Sequence, residues 1–280
     1  MSHLISSVTS GSDGRPMAVD LRSDSSHGQC PVVIFLHGFK GFKDWGHFPM
    51  VGDALAEAGF AFVSFNFSNN GTTIEQPTDF ADLEAFGNNS YSKELFDLGR
   101  IIDGVADGTL FPDTDMDRGR ILLLGHSRGG GMAIVKTGED KRVKGLVTWA
   151  SVASLQRAQA DMEQWKRDGV IHIPNARTGQ QMPMYHQFVE DYLANEERFS
   201  LEKCCGNISV PSLFIHGTDD GTVSGTDAQQ LEKWCATGKA HLIDGGDHTF
   251  GGRHPFQERQ LPKLTASALE ATVAHLRRID

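Results

Sequence analysis

The sequence predicts an α/β protein in which a mostly parallel central sheet is flanked by helices. Apolar runs of strand length alternate with segments of helical periodicity along the 280 residues. Several of these runs are continuously apolar, such as PVVIFL at 31–36, and continuous runs are typical of parallel strands buried on both faces. The alternation favours helices on both sides of the sheet, and 39% apolar residues are ample for its core.

The predicted elements begin with two short strands at 3–9 and 16–22, which the turn-rich GSDGRP joins into an antiparallel hairpin. Buried strands of the parallel sheet are predicted at 31–36, 60–65, 120–124, 143–149, 211–216 and 240–244. Helices, in which apolar residues recur on one face, are predicted at 47–58, 91–107, 129–137, 226–237 and about 261–278. Residues 68–90 are polar and rich in Asn, Asp and Gly, so they are predicted to form a loop, and a helical turn within it is left open.

The segment 151–206 interrupts this alternation, because it contains no buried strand of the usual kind. Its pattern predicts a helix over 156–167, a small hairpin of 170–174 and 180–184, and a second helix over 186–196. An insertion of this length between two strands predicts a cap or lid over a site, and packing without function is the alternative.

The chain therefore divides into a core of residues 1–150 and 207–280 and a cap of residues 151–206. Its formal net charge is -10, and an acidic surface repels phosphate backbones, so nucleic acid is excluded as a partner. The sequence has no apolar run near the ~20 residues that span a bilayer, so a membrane is excluded as well. The first residues lack the basic and apolar regions of a secretory signal, and we expect a cytoplasmic protein.

The four cysteines of the chain are few and irregularly spaced: Cys30, Cys204, Cys205 and Cys235. Two of them are direct neighbours, which is poor geometry for a disulfide between them and lacks the C-x-x-C spacing of a zinc site. We expect reduced thiols, which also agrees with a cytoplasmic protein.

A serine flanked by glycines follows one predicted strand, in the stretch LLLGHSRGGG. A dinucleotide-binding turn does not fit, because Ser127 occupies the place of the glycine that lets a pyrophosphate approach the backbone. A P-loop does not fit either, because no Lys-Ser or Lys-Thr follows where it is required. The stretch matches G-x-S-x-G through Gly125, Ser127 and Gly129, a strand-to-helix turn that presents a nucleophilic serine.

A serine hydroxyl is a weak nucleophile that needs a base, an acid to orient the base, and donors for an oxyanion. In this architecture these parts follow in the order Ser, Asp or Glu, His, each after a strand. The chain supplies Asp219 and Asp220 after one later strand, and His248 in GGDHTF after the next. His241 and His254 are rival bases, but the GGDHTF loop favours His248.

Four motifs follow one another along the chain: HGF at 37–39, the serine turn, IHGTDDGTV at 215–223 and HLIDGGDHTF at 241–250. With them the chain resembles an α/β-hydrolase-fold serine hydrolase over nearly its whole length. It is most similar to the cinnamoyl (feruloyl) esterase-like group of small bacterial esterases, whose cap the hairpin-bearing insertion resembles.

The resemblance implies a catalytic triad of Ser127 as nucleophile, His248 as base and Asp220 as acid. Asp220 is selected because the family pattern HG-x-x-D-x-x-V places the acid four residues after its histidine. The resemblance also implies an oxyanion hole formed by the backbone N–H groups of Phe39 and Arg128.

The other polar residues of these motifs receive no catalytic role. Asp219 is expected to be a turn or capping residue, and His37 and His216 are expected to be structural. His126 precedes the nucleophile and contacts the site without an assigned chemistry.

The predicted enzyme is a carboxylic ester hydrolase that cleaves small-molecule esters of small or aromatic acyl groups through an acyl-enzyme on Ser127. A peptidase or thioesterase with the same triad is one alternative, and a non-catalytic binding member of the fold is another. The resemblance implies neither an organic cofactor nor a metal, and the sequence leaves a homodimer open.

Two features bear on the substrate and stay open at this point. Apolar cap residues either line an acyl pocket or pack the cap onto the core: Met162, Trp165, Met182, Met184 and Tyr185. The loop at 68–90 is longer than a compact esterase requires, so it can narrow or redirect the pocket and leaves a cinnamoyl substrate open.

Overall fold

A computed structural model describes residues 2–156 and 162–279 of the chain. Its strands are β1 (His3–Ser10), β2 (Pro16–Ser23), β3 (Cys30–Leu36), β4 (Ala61–Phe65), β5 (Met116–His126), β6 (Val143–Trp149), β7 (Val170–Pro174), β8 (Gln181–Tyr185), β9 (Ser212–Gly217) and β10 (Gly238–Ile243). Its α-helices are α1 (Phe48–Glu57), α2 (Leu83–Gly87), α3 (Tyr91–Ala106), α4 (Arg128–Glu139), α5 (Met162–Asp168), α6 (Gln187–Ala194), α7 (Leu201–Asn207), α8 (Thr226–Trp234) and α9 (Lys263–Leu276).

Eight strands form one sheet in the order β1-β2-β4-β3-β5-β6-β9-β10. The pairs β1–β2 and β2–β4 are antiparallel, and every other pair in this sheet is parallel. This arrangement confirms the predicted α/β fold with a mostly parallel sheet. It also places the ends of β3, β5, β9 and β10 at one edge, where the four motifs meet.

The sheet separates two apolar cores, because successive side chains of a strand point to opposite faces. Val32 and Ile34 of β3 lie in the core that also contains residues of α3 and α4. Val33 and Phe35 lie in the other core, under α1 and α9. Both faces are therefore covered, as the continuous apolar run of β3 predicts.

Strand β5 begins earlier than the prediction at 120–124. Met116 and Asp117 pair with Cys30 and Pro31, and the register then shifts between Pro31 and Val32. The added residues are mostly polar, so their pairing depends on the neighbouring strand and not on an apolar pattern of their own.

Two short helices add to the predicted elements. Helix α2 lies within the loop at 68–90, where the sequence leaves a helical turn open, and α7 lies near the end of the cap segment, where no helix is predicted. Each has a capping residue: Asp82 accepts a hydrogen bond from the Ala85 N–H at 2.9 Å, and Ser200 accepts one from the Lys203 N–H at 3.5 Å. Helices of five and seven residues are too short to show apolar periodicity.

The predicted cap hairpin is present as β7 and β8, which pair from Val170 with Tyr185 to Pro174 with Gln181. Helix α5 occupies the end of the segment predicted to be helical at 156–167, whereas residues 157–161 lie outside the described residues. The hairpin contacts the loop at 68–90, because Tyr185 Oη donates a hydrogen bond to Glu84 Oε2 at 2.5 Å. The division into core and cap stays a prediction.

The four cysteines are buried and free. Within 2–156 and 162–279, none of the helices has both the length and the apolar character to cross a membrane. The same residues contain no cluster of three or more His, Cys, Asp or Glu side chains arranged to hold a metal ion.

Candidate active site

Ser127 lies in the sharp turn between β5 and α4, with φ 55° and ψ −122°. A non-glycine residue at positive φ is strained, and this strain is typical of a nucleophile turn that lifts its serine above the sheet. The flanking glycines make the turn possible. A Cβ at Gly125 would lie 2.4 Å from the Gly129 carbonyl oxygen, and a Cβ at Gly129 would lie 2.4 Å from the Leu36 carbonyl oxygen.

The structure brings together the three residues of the predicted triad. Ser127 Oγ lies 3.0 Å from His248 Nε2, and His248 Nδ1 lies 2.8 Å from Asp220 Oδ2. When Nδ1–H donates to the carboxylate, Nε2 is left as the acceptor for the serine proton. The three groups therefore form one hydrogen-bonded line from hydroxyl to carboxylate, with the geometry that general-base activation requires.

Asp220 is held in its turn by several donors. Its Oδ1 accepts hydrogen bonds from the N–H groups of Thr222 at 2.8 Å and Val223 at 2.9 Å. Burial alone raises the pKa of Asp220, but the Val223 N–H and His248 outweigh burial, and the pKa lies below its usual value. The carboxyl group is thus ionised at neutral pH and can stabilise a protonated His248.

The alternative acid and bases lie outside this line. Asp219 is exposed, and its carboxylate accepts a hydrogen bond from the hydroxyl of Thr218. His241 is an exposed residue of β10, and His254 accepts the Gly46 N–H at 2.9 Å through Nδ1. The choice of Asp220 and His248 agrees with this geometry, and their catalytic roles remain predictions.

His216 contacts the predicted acid directly, which the sequence analysis missed. Its Nε2 lies 3.1 Å from Asp220 Oδ2 and 3.1 Å from the Val223 carbonyl oxygen, and its side chain is fully buried. Asp220 thus receives a second imidazole donor from β9. The signal was present in the sequence, because His216 precedes the acid by four residues in IHGTDDG.

His126 supports the loop that carries the base. Its Nε2 donates to the His248 carbonyl oxygen at 2.8 Å, and the two ring centroids are 5.0 Å apart. Burial, with the nearby His248, lowers the pKa of His126 to about 3, so this ring is neutral at physiological pH. It therefore adds no positive charge beside the base.

The peptide that carries the Phe39 N–H, the first predicted oxyanion donor, is held in place by hydrogen bonds. The Gly38 carbonyl accepts hydrogen bonds from His37 Nδ1 at 3.0 Å and from the Gly41 N–H at 3.1 Å. Because that carbonyl and the Phe39 N–H belong to one planar trans peptide, fixing the first fixes the second. A Cβ on Gly38 would lie 3.0 Å from Ser127 Cβ, so this peptide lies directly beside the nucleophile.

The second predicted donor, the Arg128 N–H, lies at the start of α4. The preceding carbonyl, that of Ser127, accepts the Gly130 N–H at 2.9 Å. This bond fixes the peptide that carries the Arg128 N–H at a helix N-terminus, where backbone amides favour negative charge. As the predicted oxyanion donors, the two amides would act without rearrangement, an effect of about 3 to 4 kcal/mol per donor in other hydrolases.

The side chains of these two predicted donors also contact each other. The Arg128 guanidinium lies 4.5 Å from the ring centroid of Phe39 and 2.6 Å from Glu94 Oε1. The side chain of Glu94 is 3% exposed and that of Arg128 is 12% exposed, so this ion pair is buried. Burial raises the pKa of Glu94 although the Arg128 charge opposes the shift.

Replacing Glu94 with alanine is expected to lower the free energy of unfolding by about 3 to 5 kcal/mol, because Arg128 would remain buried without its counter-charge. Denaturant unfolding measures the change. The matched control is Glu139→Ala, which breaks a pair with Arg198 at the same 2.6 Å distance but on the surface, and should cost about 1 kcal/mol or less. Equal losses of unfolding free energy in the two variants would show that burial of the Glu94–Arg128 pair does not increase its contribution to stability.

A cavity of about 510 Å³ opens next to Ser127. Its wall includes the triad histidine, the predicted oxyanion loop, aromatic side chains and the turn between β7 and β8: His37, Gly38, Phe39, Trp45, Phe48, His126, His248, Asn175, Ala176 and Arg177. Trp165, Met182 and Met184 lie in the buried core and not in this wall. Their packing role is therefore the one the structure supports, and the cap reaches the cavity through its hairpin turn.

The fold and the arrangement around Ser127 define an α/β hydrolase. A model of the alpha/beta hydrolase family matches residues 33–261, and the chain belongs to this family. Membership and the structural likenesses below confirm the resemblance that the motifs predicted, and they support hydrolase activity.

The chain is similar to the lysophosphatidylserine lipase ABHD12 of Danio rerio, with 23% identity over 259 residues. That match covers 90% of this chain and 60% of the lipase, so the chain spans less than two thirds of its relative's length.

Among solved structures, the esterase Est1E from Butyrivibrio proteoclasticus aligns with a TM-score of 0.66 and 19% identity, covering 98% of this chain and 99% of that one. The esterase domain of a Rhodothermus marinus protein aligns with a TM-score of 0.67 and 18% identity over 99% of both chains. At these identities the likeness establishes the shared fold.

Proposed function

We propose that this protein is a serine carboxylesterase that hydrolyses small-molecule esters of small or aromatic acyl groups. The observation that carries the proposal is the line from Ser127 through His248 to Asp220, with contacts of 3.0 and 2.8 Å, beside the fixed peptides of Phe39 and Arg128. The free, buried thiols of the four cysteines support action in the cytoplasm.

The first half of the reaction acylates the enzyme. Ser127 Oγ attacks the ester carbonyl carbon while His248 Nε2 takes its proton, and Asp220 stabilises the imidazolium. The carbonyl oxygen becomes an oxyanion that accepts hydrogen bonds from Phe39 and Arg128 N–H. The intermediate then collapses, the bond to the alcohol oxygen breaks, and the alcohol leaves with the proton from His248.

The second half reverses the roles of nucleophile and leaving group. His248 removes a proton from water, whose oxygen attacks the acyl carbon on Ser127. Collapse of this second intermediate breaks the bond to Oγ, which regains its proton from His248, and the carboxylic acid is released. His248 returns in each half the proton that it takes, so the ester and one water molecule are the only reactants.

The acyl preference is supported by the cavity and by relatives. Trp45, Phe39 and Phe48 supply aromatic surface to a cavity large enough for a small ester. A structure of Est1E holds ferulic acid and shares the fold with a TM-score of 0.67 and 18% identity, covering 95% of this chain and 97% of that one. A thioesterase or peptidase would use the same three residues, so substrates must separate these activities.

The decisive experiment compares kcat/KM for aryl acetates, alkyl esters, hydroxycinnamoyl esters, acyl thioesters and peptides. We expect the highest value for an oxygen ester with a small or aromatic acyl group, and no measurable cleavage of peptides. A higher kcat/KM for a thioester or a peptide than for every oxygen ester would replace the proposal with that activity. Failure to cleave any substrate would instead support a binding role for the cavity.

A further inference from the structure

The cavity wall carries a set of cationic side chains that the proposed reaction does not use. Lys40, Arg177 and Arg253 line it from three separate segments: the predicted oxyanion loop, the cap hairpin turn and the loop after His248. Among the described residues that line the cavity, none is Asp or Glu. This contrasts with a chain in which 36 acidic residues outnumber 26 basic ones.

Lys40 occupies a position that favours glycine. Its φ is 56°, a left-handed conformation in which most side chains are strained. Glycine would adopt this backbone at lower cost, so the lysine here adds something that the loop shape alone does not need. Its ammonium reaches toward the cap and donates to the Pro174 carbonyl oxygen at 3.2 Å, which holds the charge at the base of the hairpin turn.

Arg177 projects from that hairpin turn. Its guanidinium lies 5.7 Å from the Phe42 ring centroid and 5.8 Å from the Phe80 ring centroid, contacts that restrain its plane. Its ion-pair partner within the described chain is Asp79, at 4.0 Å, which is longer than a direct hydrogen bond. The guanidinium thus keeps N–H donors for a further acceptor.

Asn175, two residues before Arg177, adds a buried donor to the same wall. The residue is 6% exposed and lines the cavity, and its Nδ2 has no hydrogen-bond partner among the described residues. A buried amide without a partner is costly, and an acceptor atom in the cavity would satisfy it. Arg253 lies at the rim, where it pairs with Glu258 at 2.7 Å.

We propose that the cavity selects esters that carry a carboxylate, bound by Lys40 and Arg177 with Asn175 as an additional donor. The inference rests on the proposed esterase function and specifies its substrate class. Ammonium and guanidinium groups make charge-assisted hydrogen bonds to a carboxylate, and an uncharged ester offers these two groups no counter-charge.

The test uses two pairs of esters of nearly equal shape. Monomethyl adipate and methyl hexanoate differ by a carboxylate on the acyl side, and p-acetoxybenzoate and p-tolyl acetate differ by one on the alcohol side. We expect a kcat/KM ratio of charged to uncharged ester of about tenfold or more in one pair, the size of a charge-assisted contact. The pair that shows the ratio identifies the side of the ester that faces Lys40 and Arg177.

Two variants connect the ratio to these residues. Lys40→Gly removes the ammonium and suits the left-handed backbone, and Arg177→Gln removes the guanidinium charge. Each should reduce the ratio about tenfold, whereas Arg167→Gln, a cap arginine that is 70% exposed and pairs with Asp168, should leave it unchanged.

Three outcomes overturn the inference. The kcat/KM ratio of charged to uncharged ester is near one in both pairs, or the ratio is unchanged in both Lys40→Gly and Arg177→Gln, or Arg167→Gln reduces the ratio as much as these two variants do. Hydrolysis of uncharged esters would leave the proposed function standing in each of these cases. Absence of turnover of all four esters would overturn both proposals together.

Discussion

Replacing Ser127 with alanine is expected to reduce kcat for a p-nitrophenyl ester by on the order of 10⁵-fold, because the substitution removes the proposed attacking oxygen. The oxyanion donors and the cavity remain, so the residual rate should still exceed the rate in water. Steady-state release of p-nitrophenol measures the loss. Mass spectrometry of rapidly acid-quenched wild-type enzyme should detect the acyl group on the peptide that contains Ser127.

The alanine variant should keep its fold, because the side chain of Ser127 hydrogen-bonds to His248 in the cavity wall and fills no core space. Circular dichroism and thermal unfolding verify this. Ser224→Ala, an exposed serine near the acid loop, serves as control and should retain full activity. Wild-type turnover in Ser127→Ala would show that another residue is the nucleophile and would refute the mechanism.

Asp220→Asn is expected to lower kcat by about 10⁴-fold, since asparagine preserves the shape but holds His248 in the wrong tautomer and cannot stabilise its positive charge. The neighbouring carboxylate supplies a matched control. Asp219→Asn changes the same charge one residue away on an exposed side chain, and should leave kcat within about twofold. Kinetics of the two variants at neutral pH separate the roles.

The opposite result, a large loss of kcat in Asp219→Asn and none in Asp220→Asn, would show that Asp219 is the acid and that our mechanism names the wrong neighbour. A similar loss in both would indicate that the turn itself has been disturbed. Thermal unfolding of both proteins distinguishes this case, because a disturbed turn lowers the melting temperature along with kcat.

Much of the site was predictable because each catalytic part is a local motif. The turn around Ser127 requires glycines on both sides, and the structure shows a backbone atom at 2.4 Å from each missing Cβ. Parallel strands end at the same edge of a sheet, so residues that follow successive strands were expected to meet. This reasoning placed Ser127, His248 and one of the two neighbouring acids together, and the family pattern selected Asp220 over Asp219, across separations of 121 and 28 residues.

Other parts of the site have no local signature. Glu94 lies among apolar residues of α3, and its counter-charge comes from Arg128, which approaches from α4. The apolar cap residues are of the kind that lines an acyl pocket, yet Trp165 and Met182 pack in the core. In each case the partner is distant in the chain, so periodicity and propensity carry no information about it.

The sequence by itself determined the alternation of strands and helices, the strained serine turn and the order of the motifs, because these follow from sterics and periodicity among near neighbours. Tertiary structure alone decided which side chains form the cavity wall. Lys40, Arg177 and Arg253 come from three segments, and their convergence depends on how the hairpin turn is placed over the sheet edge. Charge–charge and hydrogen-bond energies depend on distance in space, and that distance is set only when the whole chain has folded.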